Sequence, residues 1–339
     1  MGTTKRVISS SAAAASLAGA GLLAARAARR YRRDLAAARQ RVRAAGGRVL
    51  QTARGPVEVA TRGEGAPVLV VHGIFGGCDA GLASVGDACG AGHQLIAPSR
   101  FGYLGTPLLA GATPAAQADA HAALLDRLGV GRAAVLGYSA GATSAIQLAL
   151  RHPARVAALA LVSPNAPGPV PAIPPRAVMD LLFRTDVAFW LAVTSFPAAI
   201  RSPMGVPKGL ALTAEDEAEV AAMLRTVLPA RPRGPGYLFD AYVSNPDINR
   251  GYPFGDIAAP TLVVAARDDP TAPYTNACAL AGQIPGARLV TLERGGHLGL
   301  GQRERTTREL RAFLREHAGA AGPREEAGVA AAAAGLGGA

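Results

Sequence analysis

Across residues 48–317, short apolar runs of strand length alternate with stretches whose apolar positions recur at helical spacing. Residues 48–53 and 57–61 flank Gly55-Pro56 and predict a β-hairpin. Further strands are predicted over 68–72, 94–98, 133–138, 156–162, 262–266 and 288–292. Several are unbroken Val, Leu and Ala runs, the pattern of parallel strands buried on both faces. Helices are predicted over 114–128, 140–151, 275–283 and 304–317. Strand–helix alternation of this kind predicts an α/β fold, a mostly parallel, doubly wound sheet with right-handed crossovers.

One stretch breaks the rhythm. Between 163 and about 257 no strand pattern appears; the chain instead carries Pro-rich turns, an aromatic helical run over 178–196 and an acidic amphipathic helix over 214–228. A segment of about 95 residues between two core strands is too long for a plain loop. Residues 164–257 are therefore expected to form an inserted helical lid, and 47–163 with 258–317 the core that carries it. Residues 318–339 are Ala/Gly-rich and are expected to be a disordered tail.

The 339 residues are 50% hydrophobic and 17% charged, enough apolar material for a sizeable core. The net charge of +11 is unevenly placed. Residues 1–54 hold 12 Lys and Arg against the single acid Asp34, and the rest of the chain is balanced. The excess thus belongs to an N-terminal arm, residues 1–46, which lacks aromatic interleaving or a base-reading motif and gives no nucleic-acid partner. Within the arm, residues 7–25 are 19 residues without a charge, bounded by Lys5-Arg6 and an Arg cluster from Arg26 to Arg33. A helix of that length rises about 28 Å, close to the thickness of a bilayer's hydrocarbon. A transmembrane helix is the expectation, with the heavier positive side placing the body in the cytoplasm. A cleaved secretory signal, or a surface helix leaning on anionic lipid, are the alternatives. Three scattered cysteines, Cys78, Cys89 and Cys278, exclude a disulfide framework and a zinc ribbon.

The chemistry concentrates at strand ends. Gly137-Tyr138-Ser139-Ala140-Gly141 sits between a strand and a helix, where a tight turn flanked by small residues presents a serine hydroxyl above a helix N-terminus. His72-Gly73-Ile74-Phe75-Gly76-Gly77 ends another strand, and its Ile74 N–H together with that of Ala140 could form an oxyanion hole. Arg267-Asp268-Asp269 follows the strand over 262–266, and Gly295-Gly296-His297 follows the last strand. The order Ser139, Asp269, His297 is nucleophile, acid, base, with the imidazole taking the serine proton and the carboxylate fixing its tautomer. Asp269 is preferred to Asp268, which is expected to cap or to pair with Arg267. His72 is expected to be a hydrogen-bonded loop former, and His93, His121, His152 and His317 solvated or structural. Arg100 and Arg201 are expected to be solvated rather than to bind a substrate carboxylate.

With these motifs and Ser99-Arg100-Phe101-Gly102-Tyr103, the sequence resembles the α/β-hydrolase superfamily over about residues 47–317. It looks most like lid-bearing serine hydrolases: small-ester hydrolases, enol-lactonases and C–C hydrolases. The resemblance implies no metal and no organic cofactor. Ala266 stands where such proteins commonly have Gly before the acid loop. Haloalkane dehalogenases and epoxide hydrolases of this fold carry a carboxylate at the elbow, and Ser139 argues against both. Hydrolysis of an ester, lactone or thioester (EC 3.1.1) through an acyl-enzyme is the first expectation, with a small apolar acyl or ester substrate. C–C cleavage of a diketo acid is the second, and a catalytically silent, membrane-tethered binding protein the third. Phe75, Tyr138, Phe189 and Trp190 are the candidates for lining the substrate site.

Overall fold

A computed structural model of the chain describes residues 3–85, 89–90 and 92–320. The predicted hairpin forms from β1 (Arg48–Thr52) and β2 (Gly55–Arg62), which pair antiparallel with Thr52 opposite Gly55. Six more strands follow: β3 (Ala66–Val71), β4 (His93–Pro98), β5 (Ala133–Tyr138), β6 (Val156–Val162), β7 (Thr261–Ala266) and β8 (Arg288–Leu292). They make one eight-stranded sheet in the order β1-β2-β4-β3-β5-β6-β7-β8. β2 is antiparallel to β4, and every pair from β4 across to β8 is parallel.

The unbroken apolar runs find cover on both faces. Leu69 and Val71 of β3 and Val263 and Ala265 of β7 point into a core on one face. Their neighbours Val68, Val70, Leu262, Val264 and Ala266 point into a second core on the other. This is the period-2 alternation of a strand with two buried sides. Helix α1 (Thr3–Ala44) precedes the sheet, and α2 (Cys78–Val85) follows β3. The next two are α3 (Pro114–Arg127), capped by the Thr113 side chain accepting from the Ala116 N–H with Pro114 in the first turn, and α4 (Gly141–Arg151). α2 was not expected: eight residues with few strongly apolar positions carry too little periodicity.

Between β6 and β7 the chain runs through α5 (Arg176–Leu182), α6 (Val187–Ser195), α7 (Pro197–Arg201), α8 (Ala214–Thr226), α9 (Gly234–Phe239), a π turn (Asp240–Ser244) and α10 (Asn245–Asp247). The aromatic run expected as one helix breaks before Asp186, whose carboxylate accepts from the Arg231 N–H rather than capping α6. α8 is set by a capping box between Thr213 and Asp216. α11 (Tyr274–Gln283) and α12 (Arg303–His317) complete the core. Most of the predicted tail lies outside the described residues.

The N-terminal arm differs from expectation. α1 is one helix of 42 residues, and its C-terminal third docks on the body. Leu35 and Ala38 are buried, the Tyr31 ring meets the Trp190 ring edge-on at 5.4 Å, and the Trp190 indole N–H donates to Asp34 at 3.1 Å. Arg41 donates to the Leu228 carbonyl and lies 3.9 Å from Asp79. Among the described residues no helix is long and apolar enough to cross a membrane. This overturns the expected transmembrane helix and the membrane-associated location built on it. Ala, Ser and Gly supply little transfer free energy for their length, so an uncharged run of them is a weak span.

Candidate active site

The register lines up the carboxyl ends of four strands, with Val71 beside Gly137, Tyr138 beside Val162, and Val162 beside Val264. The loops leaving those ends are where the sequence placed its chemistry. At the end of β5, Ser139 has φ of +49°, the strained left-handed conformation of a sharp turn. The turn needs its flanking glycines. A Cβ on Gly141 would lie 2.3 Å from the Val71 carbonyl oxygen, and one on Gly137 would lie 2.9 Å from the Ala145 Cβ. The Ser139 N–H donates to the Val162 carbonyl at 3.0 Å, and its own carbonyl accepts from Ala142 and Asn165.

The hydroxyl of Ser139 lies 2.8 Å from Nε2 of His297, and Nδ1 of the same imidazole lies 2.7 Å from Oδ2 of Asp269. Asp269 is buried, and its other oxygen accepts from the Thr271 N–H, the Thr271 hydroxyl and the Ala272 N–H at 2.8–3.0 Å. Burial alone would raise its pKa. The hydrogen bond and charge of His297, with the two backbone N–H groups, outweigh that and hold the carboxyl below its usual range. An ionised Asp269 only accepts, so Nδ1 donates to it and Nε2 is left to accept from the serine hydroxyl. The backbone of His297 is fixed too, its N–H donating to the Gly205 carbonyl and its carbonyl accepting from the Ser163 hydroxyl, each at 2.9 Å.

Asp268 takes a different part. It accepts from the N–H groups of Gly295 and Gly296 at 3.1 and 2.8 Å and so shapes the loop before His297, while Arg267 pairs with Glu293.

The loop after β3 packs against the serine: a Cβ on Gly73 would lie 3.1 Å from the Ser139 Cβ. Neither the Ile74 nor the Ala140 N–H has a backbone acceptor among the described residues. His72 is the loop former that the sequence suggested. Its Nε2 accepts from the Arg100 N–H at 3.0 Å, which leaves Nδ1 to donate to the Gly73 carbonyl at 2.7 Å. Burial, and then the charge of Arg100, push its pKa well below the ordinary value, so the ring stays neutral.

The four candidate wall residues part company. The Phe75 ring meets those of Phe183, Phe189 and Tyr237 at centroid distances of 6.0, 5.7 and 4.8 Å, an aromatic cluster above the loop. Tyr138 instead packs with the core under α2 and donates to the Ser84 carbonyl at 3.3 Å. Trp190 is turned to α1. Arg100, expected at the surface, is wholly buried and forks onto Asp240, which also accepts from the Tyr103 hydroxyl. Arg201 pairs with Glu217. Sequence reasoning missed Tyr237, Asp240, Arg233 and Asp79; the one signal for Asp240 is an acid standing in an otherwise apolar helical stretch. Among the described residues no group of three or more His, Cys, Asp or Glu is placed to hold a metal ion.

Comparison with known proteins bears on the family. A 2-hydroxymuconate semialdehyde hydrolase of Pseudomonas putida is 30% identical over 280 residues, covering 75% of this chain and 89% of the relative. An alpha/beta hydrolase fold protein of Nakamurella multipartita superposes with a TM-score of 0.62 at 32% identity, covering 78% of this chain and 99% of that one. A thermophilic esterase of Thermogutta terrifontis superposes with a TM-score of 0.58 at 27% identity, covering 80% and 98%. The alpha/beta hydrolase fold family model matches residues 66–303, a span that takes in the sheet from β3 to β8 and all the loops just described, and the chain belongs to that family.

Proposed function

We propose that the protein is a serine hydrolase that cleaves a carboxylic ester, lactone or thioester through an acyl-enzyme. The observation that carries this reading is the unbroken chain from the Ser139 hydroxyl through His297 to Asp269, at 2.8 and 2.7 Å. Ser139 Oγ attacks the carbonyl carbon as its proton passes to Nε2 of His297. The carbonyl oxygen, now negative, is met by the Ile74 and Ala140 N–H groups, each such donor worth about 3–4 kcal/mol of transition-state stabilisation. Collapse expels the alcohol or thiol, which takes the proton from His297. Water then attacks the acyl-enzyme, giving its proton to His297, and the serine leaves with that proton as the acid is released. Asp269 stays ionised throughout and balances the imidazolium. The helices between β6 and β7 act as the lid, and the ring cluster of Phe75, Phe189 and Tyr237 supports an apolar acyl or alcohol group.

C–C hydrolysis of a diketo acid is the second reading, favoured by the Pseudomonas putida relative. The first fits better with the state of the arginines near the site. Arg100 and Arg233 are buried and neutralised by Asp240 and Asp79, and Arg201 is paired with Glu217, so none of the three is free for a substrate carboxylate.

The test is hydrolysis of short p-nitrophenyl esters beside a diketo acid on one preparation. Ester turnover, a stoichiometric fluorophosphonate adduct on Ser139, and a fall of about a thousandfold or more in kcat for Ser139→Ala are expected. Turnover of the diketo acid alone would decide for the second reading. No adduct and no turnover of either substrate would overturn both.

A further inference from the structure

A buried guanidinium braces the site from the side of the insertion, and the mechanism above does not use it. Arg233, which follows α8 and is wholly buried, forks onto Asp79 of α2 at 2.8 and 3.2 Å. The same Nη1 donates to the Gly76 carbonyl, in the loop between β3 and α2. The approach is close: a Cβ on Gly77 would lie 2.9 Å from Nη1 of Arg233 and 2.9 Å from Oδ1 of Asp79. That loop holds Phe75 at φ of +60° and is closed by the Gly76 N–H donating to the Gly73 carbonyl at 3.2 Å. Strain of this kind persists only where the surroundings over-determine it. Gripping the Gly76 carbonyl therefore fixes the whole turn, including the Ile74 N–H at its crest.

We propose that Arg233 is a positioning residue that holds the Ile74 N–H in place for the reaction at Ser139, with Asp79 keeping its guanidinium aimed at the Gly76 carbonyl. The inference rests on the serine-hydrolase reading. A fork is required because three acceptor oxygens, that of Gly76 and both of Asp79, must be met at once, which the single ammonium of lysine does poorly. The helices of the insertion thereby contribute to transition-state stabilisation although Arg233 does not touch the substrate.

The experiment compares a p-nitrophenyl ester with its thionoester, whose sulfur gains much less from an N–H donor than oxygen does. Arg233→Met takes the fork from Asp79 and leaves it only the longer contact with Arg41 at 3.9 Å, so Arg233→Met/Asp79→Leu, which removes both members of the forked pair, is made beside it, together with Arg233→Lys. In wild type a fluorophosphonate adduct and a marked preference for the oxygen ester are expected. In the Met variants kcat for the oxygen ester should fall about 10- to 100-fold with KM within about twofold. The preference over the thionoester should shrink by a similar factor, and Arg233→Lys should recover part of both. A purely structural role would lower both substrates together. If the preference is unchanged in whichever variants fold, the inference is overturned while the reading of the site stands. A wild type that neither labels nor turns over would sink both.

Discussion

Asp268 and Asp269 are neighbours in the chain and meet different surroundings. Asp269 is buried against His297 and three donors of its own loop; Asp268 turns to the Gly295 and Gly296 N–H groups. Asp269→Asn leaves the volume intact but offers His297 an amide where the carboxylate fixed its tautomer, so kcat should fall by about 10³–10⁴ with little change in fold. Asp268→Asn should lower kcat less than about tenfold while costing about 1–2 kcal/mol of stability, since two N–H groups lose a charged acceptor. Steady-state kinetics beside denaturant melts separate the two, and equal kinetic losses would show that the division of labour is wrong. The choice between the two acids was legible only from the place of Asp269 before Pro273. Of the two roles expected for Asp268, it takes the capping one, on the Gly295 and Gly296 N–H groups; the pairing with Arg267 is not made because Glu293, across the β7–β8 ends, takes the guanidinium.

The regular elements were readable because each carries a period: the runs at 133–138, 156–162 and 288–292 became β5, β6 and β8 without a shift of boundary. What hid was contact between distant elements. α1 presents Tyr31, Asp34, Leu35, Ala38, Arg41 and Val42 along one face, spaced for a helix stripe, and all are buried or half-buried on the body. The stripe is faint in the sequence because only Leu35, Val42 and Tyr31 are large and apolar among arginines and alanines. Docking joins α1 to α6 through Trp190 and to the chain after α8 through the Leu228 carbonyl. Deleting residues 1–29 should therefore shift the melting temperature by less than about 2 °C. Deleting residues 1–46 uncovers Trp190 and the surface under Leu35 and Ala38; at about 25 cal/mol per Å² of apolar area, the loss should reach about 5–10 °C. Equal melting temperatures for the two truncations would mean that the docked third of α1 contributes no stability.

At the scale of the whole molecule, acid stability is decided by groups that the fold buries uncharged. His72 and His121 are 2% and 1% exposed; His72 spends both nitrogens on backbone partners, and neither nitrogen of His121 has a hydrogen-bond partner among the described residues. Burial, then the charge of Arg100, lowers the pKa of His121 to about 3. The sequence showed a histidine on a helix at position 121 but not Arg100 beside it, because their proximity comes from packing the turn after β4 against α3. The unfolded chain takes up a proton on each ring near pH 6.5, and the native state does not. Between about pH 6.5 and 3 the unfolded state thus binds more protons, so stability rises with pH across that window and is complete above it. Asp269 works the same way lower down: its depressed pKa contributes stability that is present above about pH 4 and lost as acid protonates it. Urea unfolding at pH 7, 6 and 5 should show stability falling with acid. His121→Leu should flatten the fall by up to one proton's worth, about 1.4 kcal/mol per pH unit near pH 5, at a fixed cost at pH 7 for the changed shape. If the variant and wild type lose stability in parallel from pH 7 to pH 5, His121 takes up its proton in the folded protein as readily as in the unfolded one, and burial beside Arg100 does not hold it neutral.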